Sequence, residues 1–124
     1  MIKRVKLTTV WVNDQAAAYD FYVNKLGFEV KSDITMPDGY RWLEVKPVGA
    51  ETTLGITKAG GDENGKAGLF TNIILDTDDI VATYEDLKAK GVEFVDVPSK
   101  QPWGWWATLK DLDGNIFGVG QIEE

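Results

Sequence analysis

The chain has neither cysteine nor histidine among its 124 residues. Without cysteine there is no disulfide, no thiolate metal site and no thiol nucleophile. Without histidine, the commonest metal ligand and the commonest general acid–base group are missing together. No apolar run approaches the ~18 residues that a membrane-spanning helix requires. The opening residues, 1–10, alternate like a strand and lack the pattern of a signal peptide, so no membrane association and cytoplasmic residence are expected. Positive charge is scarce as well: 13 Lys and Arg stand against 20 Asp and Glu, a net charge of −7. With no basic stripe, a nucleic-acid partner is excluded, and neutral or cationic ligands are favoured.

What the chain does contain is a pattern written twice. Val5 to Val12 reads as a strand, and Asn13 or Asp14 caps a helix that ends at Gly27 and buries Ala18, Phe21, Tyr22 and Leu26. Three strands follow, Phe28 to Thr35, Tyr40 to Pro47 and Thr52 to Lys58, the first two joined by a turn at Pro37, Asp38 and Gly39. The sequence then restarts with a strand from Leu69 to Asp76. A helix capped by Asp78 or Asp79 carries Ile80, Tyr84 and Leu87 on one face and ends at Gly91. Strands at Val92 to Val97, Trp105 to Lys110 and Asn115 to Gln121 complete the second unit.

Residues repeat along with the pattern. LGFEV (26–30) matches KGVEF (90–94), and RWLEVK (41–46) matches WWATLK (105–110), which makes Trp42 equivalent to Trp106 and Lys46 to Lys110. The expected organisation is one domain of two β-α-β-β-β units, 1–58 and 69–124, joined by a Gly-rich connector at 59–68. That connector contains a near phosphate-loop spacing from Gly60 to Ala67. It runs into a strand, carries Asp62 and Glu63 and opens no helix, so it is read as a linker.

Two β-α-β-β-β units, the segment DFYVNKLGFEV (20–30) and the closing DLDGNIFGVGQ (111–121) together resemble the vicinal oxygen chelate superfamily. This is the group of glyoxalase I, extradiol dioxygenases and bleomycin-resistance proteins. The resemblance spans essentially the whole chain and implies an α+β fold in which tandem units curl into an open, barrel-like cavity. It also implies a homodimer. Members with chemistry hold a divalent metal with residues from the first and last strands of each unit. Matched by motif, those positions are Leu7, Gly55, Asn72 and Gly118. Leucine has no donor atom, glycine offers only backbone and Asn72 alone is a weak neutral ligand, whereas such a metal needs three or four converging N/O side chains. Neither a metal nor another cofactor is therefore expected, and the pattern is nearest to the metal-free binding branch.

Strand alternation places the lining. In the first unit Leu7, Thr9, Trp11, Trp42, Glu44, Thr53 and Gly55 face the cavity. In the second, Asn72, Ile74, Trp106, Thr108 and Gly118 do so, with Asp76, Ile116 and Gly120 on the same face. Trp103, between Pro102 and Gly104, sits in a hairpin loop at the mouth. The glycines at 55 and 118 are expected to clear volume for a guest. Indole rings offer stacking to a planar ligand and a cation–π surface to a charged one, which Glu44 or Asp76 would complement.

The leading expectation is a metal-independent protein that sequesters a planar, neutral or cationic small molecule, in the manner of antibiotic-resistance proteins. Three alternatives stay open. One is an isomerase or lyase with Glu44 or Asp76 as general base, beside Asn72 or Tyr40. Another is a metalloenzyme with an oxygen-only site suited to Mg, Ca or Mn. The last is a protein whose tryptophans plug the cavity. Asp76, Asp78 and Asp79 also read as helix-start acids, and the Asp113, Gly114, Asn115 sequence reads as a turn.

Overall fold

The computed structural model describes residues 1–60 and 65–123. The middle of the connector and of the near phosphate-loop spacing, residues 61–64, lies outside the described residues. Cα packing divides the chain into two compact units, Met1–Ala67 and Gly68–Glu124.

In the first unit, β1 (Leu7–Val12) leads into α1 (Gln15–Tyr19), followed by β2 (Glu29–Thr35), β3 (Arg41–Lys46) and β4 (Thr53–Lys58). The sheet order is β1-β4-β3-β2. β1 runs parallel to β4, with Thr9 opposite Gly55. β3 and β2 continue antiparallel, with Ser32 opposite Glu44. Asp14 caps α1 by accepting hydrogen bonds from the amides of Ala16 and Ala17, which satisfies two donors that a helix start leaves open. One face of the sheet is apolar and closed: Val10, Val12, Leu43, Val45, Leu54 and Ile56 are each at most 4% exposed.

The helix departs from expectation. Its second half, Asp20–Lys25, is a π-helix, marked by the Leu26 amide donating to the Phe21 carbonyl five residues back. The wider turn brings the adjacent Phe21 and Tyr22 to the same buried side, where their rings meet edge to face at 5.1 Å. Consecutive side chains lie about 100° apart on a 3.6-residue repeat, and the extra residue in the π-turn narrows that angle.

The second unit repeats this plan. β5 (Phe70–Thr77) is followed by α2 (Ile80–Ala89), β6 (Glu93–Gln101), β7 (Gly104–Lys110) and β8 (Ile116–Gln121), in the order β5-β8-β7-β6. Asp79 caps α2 through the Ala82 amide, and the Gln121 side chain accepts from the Ile80 amide. Ala107, Leu109, Phe117 and Val119 form its closed face. Both units bulge at the same place on the outer strand, between Val30 and Ser32 and between Phe94 and Asp96. Both close the neighbouring pair with an ion pair, Lys46 to Glu29 at 2.7 Å and Lys110 to Glu93 at 3.0 Å.

Most strand ends fall within a residue or two of expectation. The exception is β6, expected to stop at Val97 and found to run through Pro98 to Gln101. Proline is tolerated there because β6 is an edge strand and the ladder shifts register between Asp96 and Ser99, where no donor is needed from residue 98.

The DLDGN segment is explained by packing. Asp111 Oδ1 accepts from the amides of Asp113 and Asn115, and its Oδ2 accepts from Asn115 Nδ2. Asn115 Oδ1 then accepts from the Gly68 amide, so the β7–β8 turn fastens the start of the second unit. Among the described residues no helix is long and apolar enough to cross a membrane.

Candidate functional site

The face opposite the apolar one carries the candidate residues, and each unit presents its own cleft. In the first unit a cavity of about 200 Å³ is bordered by Leu7, Thr9, Tyr40, Arg41, Trp42, Gly55 and Thr57. Leu7, Thr9, Trp42 and Gly55 are thus brought together as the alternation predicts. Tyr40, Arg41 and Thr57 join them. Arg41 is positioned by Asp33, which it meets with two hydrogen bonds of 2.9 and 2.8 Å, and its guanidinium stands 5.6 Å from the Tyr19 ring centroid. The guanidinium holds the Asp33 carboxyl below the usual carboxylate range, chiefly through these hydrogen bonds. Lys46 does the same to Glu29.

Glu44 lies on this face but does not border the cavity. It is 7% exposed, and both oxygens are engaged: Oε1 accepts from Trp42 Nε1 at 2.7 Å and Oε2 from Thr53 Oγ1 at 2.9 Å. Thr53 is itself buried. These partners differ from the Asn72 or Tyr40 expected beside a general base. Glu44 serves instead as the acceptor that fixes the Trp42 indole. Trp11 is covered by the chain itself, because a Cβ on Gly65 would overlap its ring.

In the second unit Asn72 adopts φ 61° in the middle of β5, where the ladder to β8 loses register between Phe70 and Ile74. Asparagine is among the few non-glycine residues that enter this region at modest cost. Its side chain is exposed, as is Ile74 opposite Gly118. Asp76 leans over Gly120, its Oδ1 3.0 Å from where a Cβ would stand.

The two glycines at the family's ligand positions do not leave open space. A Cβ on Gly118 would overlap the Trp106 ring, and one on Gly55 would lie 3.1 Å from a Leu7 methyl. The expectation that they clear volume for a guest is corrected accordingly: the chain's own Trp106 and Leu7 occupy that volume. The same facts decide the fit of a metal. Leucine and indole fill the positions where ligands would converge, and among the described residues no three acidic side chains gather into a metal-holding cluster. The residues present do not fit a metal centre.

A second cleft, of about 560 Å³, opens beside Trp106. Trp103, 68% exposed, meets Trp106 edge to face, with ring centroids 6.3 Å apart and planes at 76°. The rest of the lining comes from β6, including Asp96, Ser99 and Gln101. Alternation assigned no lining residue to β6, and Ser99 and Gln101 fall beyond the end expected for it. The signal was available in the repeat: Ser32 pairs with Glu44 as Asp96 pairs with Thr108. Thr108 is buried under this row and donates to Asp96 Oδ2 at 2.9 Å, while its Oγ1 accepts from the Asp96 amide at 3.0 Å.

Two four-stranded β-α-β-β-β sheets with indole-bearing faces define a class, and comparison with known proteins agrees. Residues 4–119 match the Glyoxalase/Bleomycin resistance protein/Dioxygenase superfamily, and the chain belongs to it. It is similar, at 36% identity and a TM-score of 0.89, to a crystal structure of a member of that superfamily from Sphaerobacter thermophilus, with 98% of each chain covered. It is similar to TnmS3, an antibiotic binding protein from Streptomyces sp. CB03234, at 38% identity and a TM-score of 0.87, again with 98% of each chain covered. The uncharacterized protein YetH of Bacillus subtilis is 41% identical over 120 residues, which cover 94% of this chain and 97% of that protein. Superfamily membership and an antibiotic-binding structural neighbour fit a ligand-binding role.

Proposed function

We propose that this protein is a metal-independent small-molecule-binding protein that sequesters a planar, neutral or cationic ligand on its tryptophan-bearing faces and works as a homodimer. The observation that carries the reading is the replacement of ligand chemistry by apolar surface: Leu7 over Gly55 and the Trp106 indole over Gly118. Such surfaces bind flat aromatic molecules by burial and stacking, at roughly 0.5–1.5 kcal/mol per aromatic pair beyond area alone. The likeness to TnmS3, an antibiotic binding protein, supports the binding of a small molecule. Glu44 and Thr53 act in this reading as the polar frame that holds the Trp42 ring, while Trp42, Trp103 and Trp106 meet the guest.

The test is a thermal-shift and tryptophan-fluorescence screen of the protein in chelator against planar aromatic compounds, neutral and cationic. A ligand at 100 times its Kd adds about 2.7 kcal/mol of stability, which is a shift of several degrees for a chain of this length. Stabilisation with fluorescence quenching in chelator is expected. Binding that appears only when a divalent metal is added would overturn the proposal.

A further inference from the structure

We propose that Asp96, Trp103 and Trp106 form a subsite for a compact ammonium group, either a quaternary ammonium or an alkylated amine, carried by the ligand. The inference rests on the small-molecule reading above and assigns the cation to a residue other than Glu44 or Asp76.

Geometry separates the three acids. Both oxygens of Glu44 are taken by Trp42 and Thr53 under near-complete burial. Asp76 is spread over the Gly120 backbone and does not border the cleft beside Trp106. Asp96 borders that cleft and is exposed. Thr108 fixes its Oδ2 from below, and among the described residues nothing bonds its Oδ1. The nearest cation along β6, Lys100, is turned to Glu123 at 3.6 Å. Asp96 is also the one ionisable side chain among the residues lining the cleft. It therefore supplies an uncompensated negative charge in a chain already at −7.

The indoles say what shape of cation fits. A flat ring stacks on one face at a time, but two rings at 76° with centroids 6.3 Å apart form a corner. A tetrahedral ammonium head can touch both walls of a corner at once, and its charge is attracted to indole π density. Ser99 and Gln101 border the same cleft and are tied to each other by a 2.9 Å hydrogen bond. They offer polar contact to a substituent beside the head without adding charge.

The test uses two probes of equal shape, choline and its neutral isostere 3,3-dimethylbutan-1-ol. Acridone is added as a neutral planar probe of the underlying reading. Binding is followed by titrating the indole N–H resonances of the full chain, assigned with Trp103→Ala and Trp106→Leu. Choline is expected to move the Trp103 and Trp106 signals and to bind at least about fivefold more tightly than the isostere, as a desolvated cation–π contact allows. Asp96→Asn, which keeps an acceptor for Thr108, should reduce that preference at least about twofold, leaving the part that the indoles supply. Trp103→Ala, at an exposed turn position, should weaken choline about two- to fivefold.

Equal binding of choline and the isostere, or a preference that Asp96→Asn leaves undiminished, overturns the subsite. If acridone binds and choline does not, the subsite falls and the small-molecule reading stands. If neither perturbs the indoles, both fall together.

Discussion

Gly118→Ala adds a single methyl group at the most crowded point of the second sheet. The Cβ would overlap the Trp106 ring, and the ring cannot yield by rotating a flexible tip, since the overlap falls on the indole itself. Overpacking of this kind costs about 1–3 kcal/mol. Part is returned, because Gly118 lies outside the left-handed region and alanine lowers the entropy of the unfolded chain by about 0.4–1 kcal/mol. The net loss should be about 1–2 kcal/mol, a fall of several degrees in Tm.

The first unit supplies the control. At Gly55 the added Cβ meets only Leu7 methyl groups, at 3.1 and 3.2 Å, and Leu7 is partly exposed and can turn away. Gly55→Ala should therefore stay within about 0.5 kcal/mol of the parent. A double mutant of Gly118→Ala with Trp106→Leu should recover the added cost, with a coupling of about 1 kcal/mol or more for residues in contact. Urea denaturation of the five proteins, the parent and Trp106→Leu included, measures all of this. If Gly118→Ala is as mild as Gly55→Ala, or Trp106→Leu restores nothing, the claim that the indole rests on the glycine is wrong.

Glu44→Gln should cost about 1–3 kcal/mol in chemical denaturation, because the new amide presents a donor to Trp42 or Thr53, which also donate. Asn72→Gly should be nearly neutral, whereas Asn72→Val should lose about 1–2 kcal/mol, since φ 61° is hostile to a β-branched residue; paired melting curves separate them. Arg41 lowers the Asp33 carboxyl below its ordinary value of 3.8. The stability from this pair is then fully present above that value and is lost as pH falls through the lowered one. Asp33→Asn should therefore shrink the difference in Tm between pH 5 and pH 3, and an unchanged difference would refute the linkage.

The repeat was legible because it is held by features that sequence displays directly. Strand alternation marks Val10, Leu43, Val45, Leu54, Ile56, Ala107, Leu109, Phe117 and Val119 as helix-facing, and these are buried; Ile73, marked with them, is only partly buried, at the break in the β5 ladder. Equivalent lysines at 46 and 110 turn out to make equivalent ion pairs. What alternation could not show is where the period breaks. The π-turn after Tyr19 and the bulges of β2, β5 and β6 each shift side chains by a step that a fixed repeat of 2 or 3.6 does not contain. Pro98 read as a stop, yet an edge strand with a broken register accepts it. For the site, Trp42 and Trp106 were identified by pairing the halves, and Gly118 by the family's motif. The filling of the glycine space was not, because it depends on which rotamer the indole takes. Asp96 was missed because it follows the register shift after Phe94 on the edge strand, where alternation does not say which way a side chain faces.

The opposed residues Ser32 and Glu44 in one unit, and Asp96 and Thr108 in the other, carry a consequence for descent. Each copy keeps one acid and one hydroxyl in the row, but the acid has changed strands. On β3, an inner strand, it is walled in and spent on architecture. On β6, at the sheet's margin, a change of residue disturbs only one neighbouring ladder, so charge there can be gained or lost while the scaffold is preserved. The same pair of groups thus gives one half an acid locked into its scaffold and the other an acid open to its cleft.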